Sequence, residues 1–239
     1  MKDDISVIKT GDGSNSLYLP ELDETFHSRG GAYTEAMHVY IDAGLNFFIQ
    51  NNPEKKDINI LELGFGSGLN TVLTFSEFSK NNFISESKSL YYTSIDKYPL
   101  SKELLKEYWS DKKTDLFNLD SSIIDEILYS EWEKPISINN SKSDNFKLKK
   151  VNSDIDSFLI EDSSYYDIVY WDAFAPSRQP ELWSEEIFTI LRKRLNHGAV
   201  LTTYASASLP RKNLQNAGFA VSKIPGPPFK REMIRADVN

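Results

Sequence analysis

The 239-residue chain contains no cysteine and only three histidines, His27, His38 and His197. Without thiols there is no disulfide framework, no thiolate nucleophile and no cysteine-built zinc site. The histidines fall in neither H-x-x-x-H nor H-E-x-x-H spacing, so no metal centre is expected. No run approaches the ~18 apolar residues of a membrane span, and the start MKDDISVIKT is acidic and lacks an apolar signal core. These absences predict a cytoplasmic protein with no membrane partner. Positive charge is also scarce, with 27 Lys+Arg against 35 Asp+Glu and a formal net charge of −8. That deficit argues against a polyanionic partner, but it is unevenly spread. From Ile187 to Asn239 nine basic residues face only Glu232 and Asp237, so this segment carries +7 and the remainder −15. The asymmetry points to an anionic partner met by one face; the alternative is that these side chains simply solvate helix surfaces.

Hydrophobic residues make up 40% and charged residues 26%, the proportions of a globular domain, and the length suits one large α/β unit. Residues 1–50 read as an N-terminal elaboration, with the turns TGDGSNS and SRGGA and then a helix from Thr34 to about Ile49, packed on a main domain at 51–239. In the main domain INILEL, SLYYTSI, FKLKKV, YYDIVYW, AVLTTYA, FAVSKI and EMIRADV read as seven strands. Helices are expected over GLNTVLTFSEFSK, Leu100 to Trp109, Ile123 to Tyr129, the stretch through Ile155 and Phe158, EEIFTILRKRL and SLPRKNLQNAG. Ser184 caps the fifth of these, and His197-Gly198 stops it. SINNSKSDN reads as a polar excursion. Strands alternating with helices predict a mostly parallel sheet covered by helices on both faces.

The most informative stretch is ILELGFGSGLN. A buried strand ends in Glu62, and Gly64, Gly66 and Gly68 follow at alternate positions before a helix opens. Glycines allow close backbone approach, and the helix start offers unpaired N–H groups. Leu69 stands where a dinucleotide fingerprint needs its third glycine, and no Lys-Ser/Thr follows as in a P-loop. An acid at the strand end disfavours a pyrophosphate and suits a cationic ligand, and the pattern resembles the S-adenosylmethionine site of class I methyltransferases. Asp96 ends the second strand, where an acid can accept ribose hydroxyls. Asp154 follows the third strand, placed either against an adenine amino group or as a helix cap. Asp172 ends the fourth strand in WDAFAPSRQPELW. Four acids at four successive strand ends converge where open parallel sheets bind ligands.

DGSNSLYLPELDETFHSRGGAYTEAMHVYI, ELGFGSGLN, WDAFAPSRQPELW and AGFAVSKIPGPPFKREM together resemble the methyltransferase domain of the MnmC family, across about Gly11 to Ala236. The resemblance implies a Rossmann-like class I methyltransferase fold with a seven-stranded sheet. It also implies S-adenosylmethionine as cofactor, tRNA as partner, and methyl transfer to the primary amine of 5-aminomethyl-2-thiouridine at the wobble position. In many family members a flavin-dependent oxidase is fused to this domain; here the oxidase is expected in a separate protein, so no flavin is expected in this chain. Where the family usually reads G-F-G-R-K-R-E-M, Pro228-Phe229 replaces the central Gly-Arg, while Lys230 and Arg231 remain.

On this reading Glu62, Gly64, Gly66, Gly68, Asp96, Asp154 and Asp172 surround the cofactor. Asp172 also orients the acceptor amine and takes its proton. Phe174 and Pro176 form a wall of the acceptor site or belong to the core. Arg178 contacts a phosphate or sits in a salt bridge. Tyr33 and Glu35 close over the cofactor or lie on a helix surface. Trp171 and Trp183 are assigned to packing. Lys230, Arg231, Arg211 and Lys212 are expected to present a basic face to tRNA. Two other activities are compatible with an amine site: a polyamine aminopropyltransferase, matched loosely at Tyr33-Thr34-Glu35, and a non-catalytic cofactor-binding module.

Overall fold

A computed structural model describes residues 5–80, 88–110, 117–140 and 143–239. The chain opens with a small antiparallel sheet that the sequence pattern had not indicated: β1 (Ser6–Lys9), β2 (Asn15–Leu19) and β3 (Glu24–Thr25). A continuous helical stretch follows, made of α1 (Ala32–Ala36), a π-helical segment (Met37–Asn46) and α2 (Phe47–Asn51). Asp12 ties the TGDGS turn to the start of this stretch. Its Oδ1 accepts from the Ser14 N–H and hydroxyl at 3.0 and 2.6 Å, and its Oδ2 from the Thr34 N–H and hydroxyl at 2.9 and 2.8 Å. Burial alone would raise the Asp12 pKa, but these hydrogen bonds pull it down to about 2.

The main sheet is built from β4 (Asp57–Leu63), α3 (Leu69–Lys80), β5 (Ser89–Ile95), α4 (Lys102–Tyr108), α5 (Ser121–Tyr129), β6 (Ile136–Asn140), β7 (Ser143–Val151), α6 (Ile155–Glu161), β8 (Tyr166–Trp171), α7 (Glu185–Arg192), β9 (Leu195–Thr203), α8 (Ser208–Asn216), β10 (Ala220–Pro225) and β11 (Glu232–Asp237). Its order is β10-β11-β9-β8-β4-β5-β7-β6. Strands β9, β8, β4, β5 and β7 run parallel, and antiparallel pairs close both edges. The expected count of seven strands is therefore corrected to eight among the described residues. The added strand is β6, inside the stretch read as polar; only ISI interrupts it, too short a run to show a period. The expected stop at His197-Gly198 is also corrected. α7 ends at Arg192, and Gly198, at φ +78, lies within β9 at a break in its register with β8. A glycine in a strand marks such irregularities as readily as it ends a helix.

Alternation along the strands divides the core in two. Ile58, Ile60, Tyr92, Phe146 and Tyr170 face the 32–51 helical stretch, α3 and α5. Leu61, Leu63, Val169 and Trp171 face α6, α7 and α8. Trp171 and Trp183 are both fully buried on this second face, as expected for packing residues. The Trp183 indole N–H donates to the Phe174 carbonyl at 2.8 Å, so it also fixes the loop after β8. The Ser101 and Ser184 hydroxyls accept from Leu104 N and Ile187 N, capping α4 and α7.

Candidate active site

The strand order reverses between β4 and its neighbours β5 and β8, which places the carboxyl ends of β4 and β8 side by side. Ligands bind at such points because diverging loops leave a crevice there. The backbone joins the two loops directly: Asp172 N donates to Leu63 O at 3.2 Å, and Gly64 N to Ile95 O at 2.8 Å. Gly64, Gly66 and Gly68 all have positive φ, at +94, +50 and +78. A Cβ at Gly64 would lie 2.9 Å from the Asp172 carbonyl oxygen, so side-chain-free backbone is a steric requirement here.

Glu62 is completely buried beneath this loop. Its Oε2 accepts from the Ser94 hydroxyl at 2.5 Å and the Thr71 hydroxyl at 3.2 Å, while Oε1 has no partner. Burial pushes its pKa up to about 8, only partly offset by the Ser94 hydrogen bond, and the Asp172 charge pushes the same way. Asp96 shapes the loop as well: its Oδ2 accepts from Gly66 N at 3.0 Å and its Oδ1 from Tyr98 N at 2.8 Å. Asp154 stands at the N-cap position of α6 without making a side-chain capping bond. It pairs instead with Lys97 at 2.6 Å, both side chains being about half exposed. Beside the loop a cavity of about 400 Å³ is lined by Phe65, Leu105, Leu128 and Trp132. Lys150, buried under Phe65 and Trp132, donates to the carbonyls of Ile127 and Leu128, and burial lowers its pKa to about 8.

Asp172 points to the face of the sheet covered by the N-terminal helical stretch. Its Oδ2 accepts from Asn70 Nδ2 at 2.9 Å and lies 3.9 Å from His27 Nε2. The Tyr40 hydroxyl borders the same carboxylate just outside hydrogen-bond geometry. Burial raises the Asp172 pKa, and His27, Tyr40 and Asn70 oppose that rise. Several buried polar atoms around it lack partners: both ring nitrogens of His27, Asn70 Oδ1, Glu62 Oε1 and the Tyr40 hydroxyl. Leaving such atoms unpaired costs about 1–3 kcal/mol each, and clusters of them mark places built to receive a ligand.

The remaining predicted residues fall into three positions. Phe174 meets Phe26 edge-on at 5.2 Å, and Phe26 also lies against Gly66, so the two rings span from the glycine loop to the Asp172 loop. Pro176 is half-buried in the same turn, while Arg178 pairs with Glu24 of β3 at 3.2 Å. Glu35 is buried: it accepts from Ser28 N at 2.7 Å and from Lys230 Nζ at 2.5 Å, and that ammonium sits 4.2 Å from the centre of the Tyr204 ring. Lys230 therefore points inward, away from the expected basic face. Tyr33 packs against Phe117. Arg231 and Lys212 are exposed and Arg211 is half-buried. Arg194 and Arg235 are held by the Leu159 and Ile160 carbonyls and by Asp237, and Lys230 is neutralised by Glu35 from outside the segment, so fewer of the nine basic groups are free to face a partner.

A family model described as S-adenosyl-L-methionine-dependent methyltransferase matches residues 122–239. The tRNA 5-methylaminomethyl-2-thiouridine biosynthesis bifunctional protein MnmC of Cupriavidus metallidurans is 30% identical over 90% of this chain and 31% of its own length. The Campylobacter hominis MnmC is 35% identical over 75% of this chain and 25% of its own. The chain belongs to the MnmC-like methyltransferase domains. It spans about a third or less of the length of these curated relatives. The crystal structure of MNMC2 from Aquifex aeolicus superposes with a TM-score of 0.73 at 20% identity, covering all of this chain and 72% of that one. The fold is that of a class I methyltransferase. Among the described residues no helix is long and apolar enough to cross a membrane, and no cluster of His, Asp and Glu has the makeup of a metal site.

The structure also brings in residues that the sequence reading passed over. Asn70 directly follows the glycine loop and could have been found there. His27, Tyr40 and Tyr204 are far away in sequence; the packing of the N-terminal stretch on β8 and β9 brings the first two near Asp172, and the pairing of β9 with β8 brings Tyr204.

Proposed function

We propose that this chain methylates the primary amine of 5-aminomethyl-2-thiouridine at the wobble position of tRNA, giving 5-methylaminomethyl-2-thiouridine, with S-adenosylmethionine as methyl donor. The observation that carries the reading is the buried, incompletely satisfied polar cluster around Asp172, set at the switch point beside the positive-φ glycine loop. The names of the relatives supply the product.

The residues present fit the donor. The unpartnered Glu62 Oε1 suits the ammonium of a methionine moiety, the bare backbone at Gly64, Gly66 and Gly68 admits close approach, and Asp96 and Asp154 stand where ribose and adenine would lie. When bound, S-adenosylmethionine supplies a methyl group on a sulfonium, already activated for in-line displacement. The protein then has to orient the acceptor nitrogen, exclude water and keep the amine uncharged. Asp172, fixed by Asn70, accepts an N–H bond and aims the nitrogen lone pair. Phe26 and Phe174 wall the site against water. The Lys230–Glu35 pair and Tyr204, whose hydroxyl donates to the Ala173 carbonyl at 2.8 Å, close it from the C-terminal side. The acceptor amine arises from an upstream oxidation, which we assign to a flavin-dependent oxidase. Exposed Arg231 and Lys212 are assigned to tRNA phosphates.

The test is incubation with labelled S-adenosylmethionine and, separately, tRNA lacking the terminal methyl, putrescine, or no acceptor. Label in tRNA alone is expected; methyl label in putrescine would make a polyamine the acceptor, aminopropyl transfer to putrescine in an added arm supplied with decarboxylated S-adenosylmethionine would replace this reading with aminopropyltransferase chemistry, and no transfer in any arm would make the chain a binding module. Asp172→Asn should cut turnover by about 10²-fold or more while leaving the melting temperature unchanged, and wild-type turnover in the folded variant would remove Asp172 from the mechanism.

A further inference from the structure

His27 lies outside the glycine loop and the Asp172 loop, and among the described residues it leaves two buried ring nitrogens without a partner. The residue is 7% exposed. Its backbone is held on both sides, the N–H donating to the Ser16 hydroxyl at 3.1 Å and the carbonyl accepting from Thr25 at 2.7 Å. The ring is thus carried into the interior by β2 and β3, and there neither Nδ1 nor Nε2 finds a partner. An imidazole buried for packing alone would satisfy at least one nitrogen, because a buried ring nitrogen without a partner has given up its water for nothing. What the ring does face is Asp172, with Nε2 3.9 Å from Oδ2.

That separation is too long for a hydrogen bond and well suited to one shared group. A nitrogen placed about 2.8 Å from both atoms, an ordinary hydrogen-bond length, would see them at an angle of about 90°, close to the spread of two N–H bonds on one amine. The other ionisable groups nearby are committed. Glu35 holds Ser28 N and Lys230, and Glu62 lies under the cofactor loop with Ser94 and Thr71. The hydroxyls of Tyr40 and Tyr204 are held in their neutral, proton-bearing form by burial and by the neighbouring carboxylates.

We propose that His27 is a catalytic base, its Nε2 taking the proton that the acceptor ammonium must lose while Asp172 orients the same nitrogen. The proposal rests on the amine-acceptor reading above. The substrate arrives as R–NH3⁺ and gives one proton to His27. The free amine lone pair then forms the new N–CH3 bond as the S–CH3 bond breaks, its electron pair going to sulfur. The products are R–NH2⁺–CH3 and S-adenosylhomocysteine, and the proton on His27 passes to solvent, so one proton is released per methyl transferred.

The experiment compares the wild-type enzyme and His27→Gln on tRNA carrying 5-aminomethyl-2-thiouridine. Loss of the base should lower kcat by about 10²- to 10⁴-fold with the KM for tRNA, the Kd for S-adenosylmethionine and the melting temperature unchanged. The residual rate should climb about tenfold per pH unit from 7 to 9, as free amine supplied by solution replaces the missing base for a nucleophile of pKa about 10. A structural role would instead scale the rate equally at every pH. Undiminished kcat in the variant overturns the role of His27 alone; an inactive wild-type enzyme overturns the acceptor reading and His27 with it. Should His27→Gln fail to fold, a His38→Gln/His197→Gln variant leaves His27 as the sole imidazole for nitrogen NMR. Its ring signals should shift when the aminomethyl tRNA is added, and unmoved signals would refute the contact.

Discussion

Replacing Glu62 by glutamine tests the electrostatics beneath the glycine loop. The carboxyl is fully buried, one oxygen is unpartnered, and burial moves its pKa from an ordinary 4.5 to about 8. The displacement is worth about 5 kcal/mol at about 1.4 kcal/mol per pH unit. A raised folded pKa means that folding favours the protonated form. The stability is therefore fully present below pH 4.5 and is lost progressively as pH rises through about 8. Between pH 6 and pH 9 the loss is about 2–3 kcal/mol, which for a chain of this size is roughly 4–12 °C in melting temperature. Glu62→Gln keeps the shape and removes the titration. The difference in melting temperature between wild type and Glu62→Gln, measured without ligand, should thus move against the wild type by that amount across the interval; other titrating groups cancel in the difference. A cationic donor placed against Oε1 should drive the proton off, so calorimetry at pH 7 in buffers of different ionisation heat should show close to one proton released on S-adenosylmethionine binding, and none for the variant. A melting difference that stays constant from pH 6 to pH 9 would refute the buried, neutral Glu62.

Gly64→Ala drives a Cβ to 2.9 Å from the Asp172 carbonyl at φ +94. It should cost about 2–3 kcal/mol, visible in denaturant titration, and abolish S-adenosylmethionine binding by calorimetry. Lys230→Met leaves the buried Glu35 carboxylate with Ser28 N alone; a loss of about 1–3 kcal/mol is expected, and Glu35→Gln/Lys230→Met should recover part of it in a double-mutant cycle. tRNA affinity should fall linearly on a log–log plot against salt, and Arg231→Ala should reduce the slope by about one; a salt-independent affinity would contradict the basic face.

The parallel core of the sheet was legible in the sequence because its strands are short apolar runs between helical periods, and because the glycine triplet and the strand-end acids Glu62, Asp96, Asp154 and Asp172 fall at fixed points of that alternation. Local chemistry was enough for the Ser184 cap as well. What failed was what rests on pairing rather than on apolar periodicity along one stretch. β6 gains its place by pairing with β7, and β1 to β3 gain theirs from one another, not from apolar periodicity. Lys230 reads as surface charge until the fold sets it against Glu35, 195 positions away. The sequence by itself determined the sheet core, the glycine loop and the position of Asp172, since these depend on spacing along one stretch of chain. Only the tertiary structure decided what surrounds Asp172. Alternation turns its side chain to the face of the sheet that the N-terminal stretch covers, so His27 and Tyr40 reach it from a segment far from the glycine loop and from the Asp172 loop, and burial then fixes which groups hold a charge.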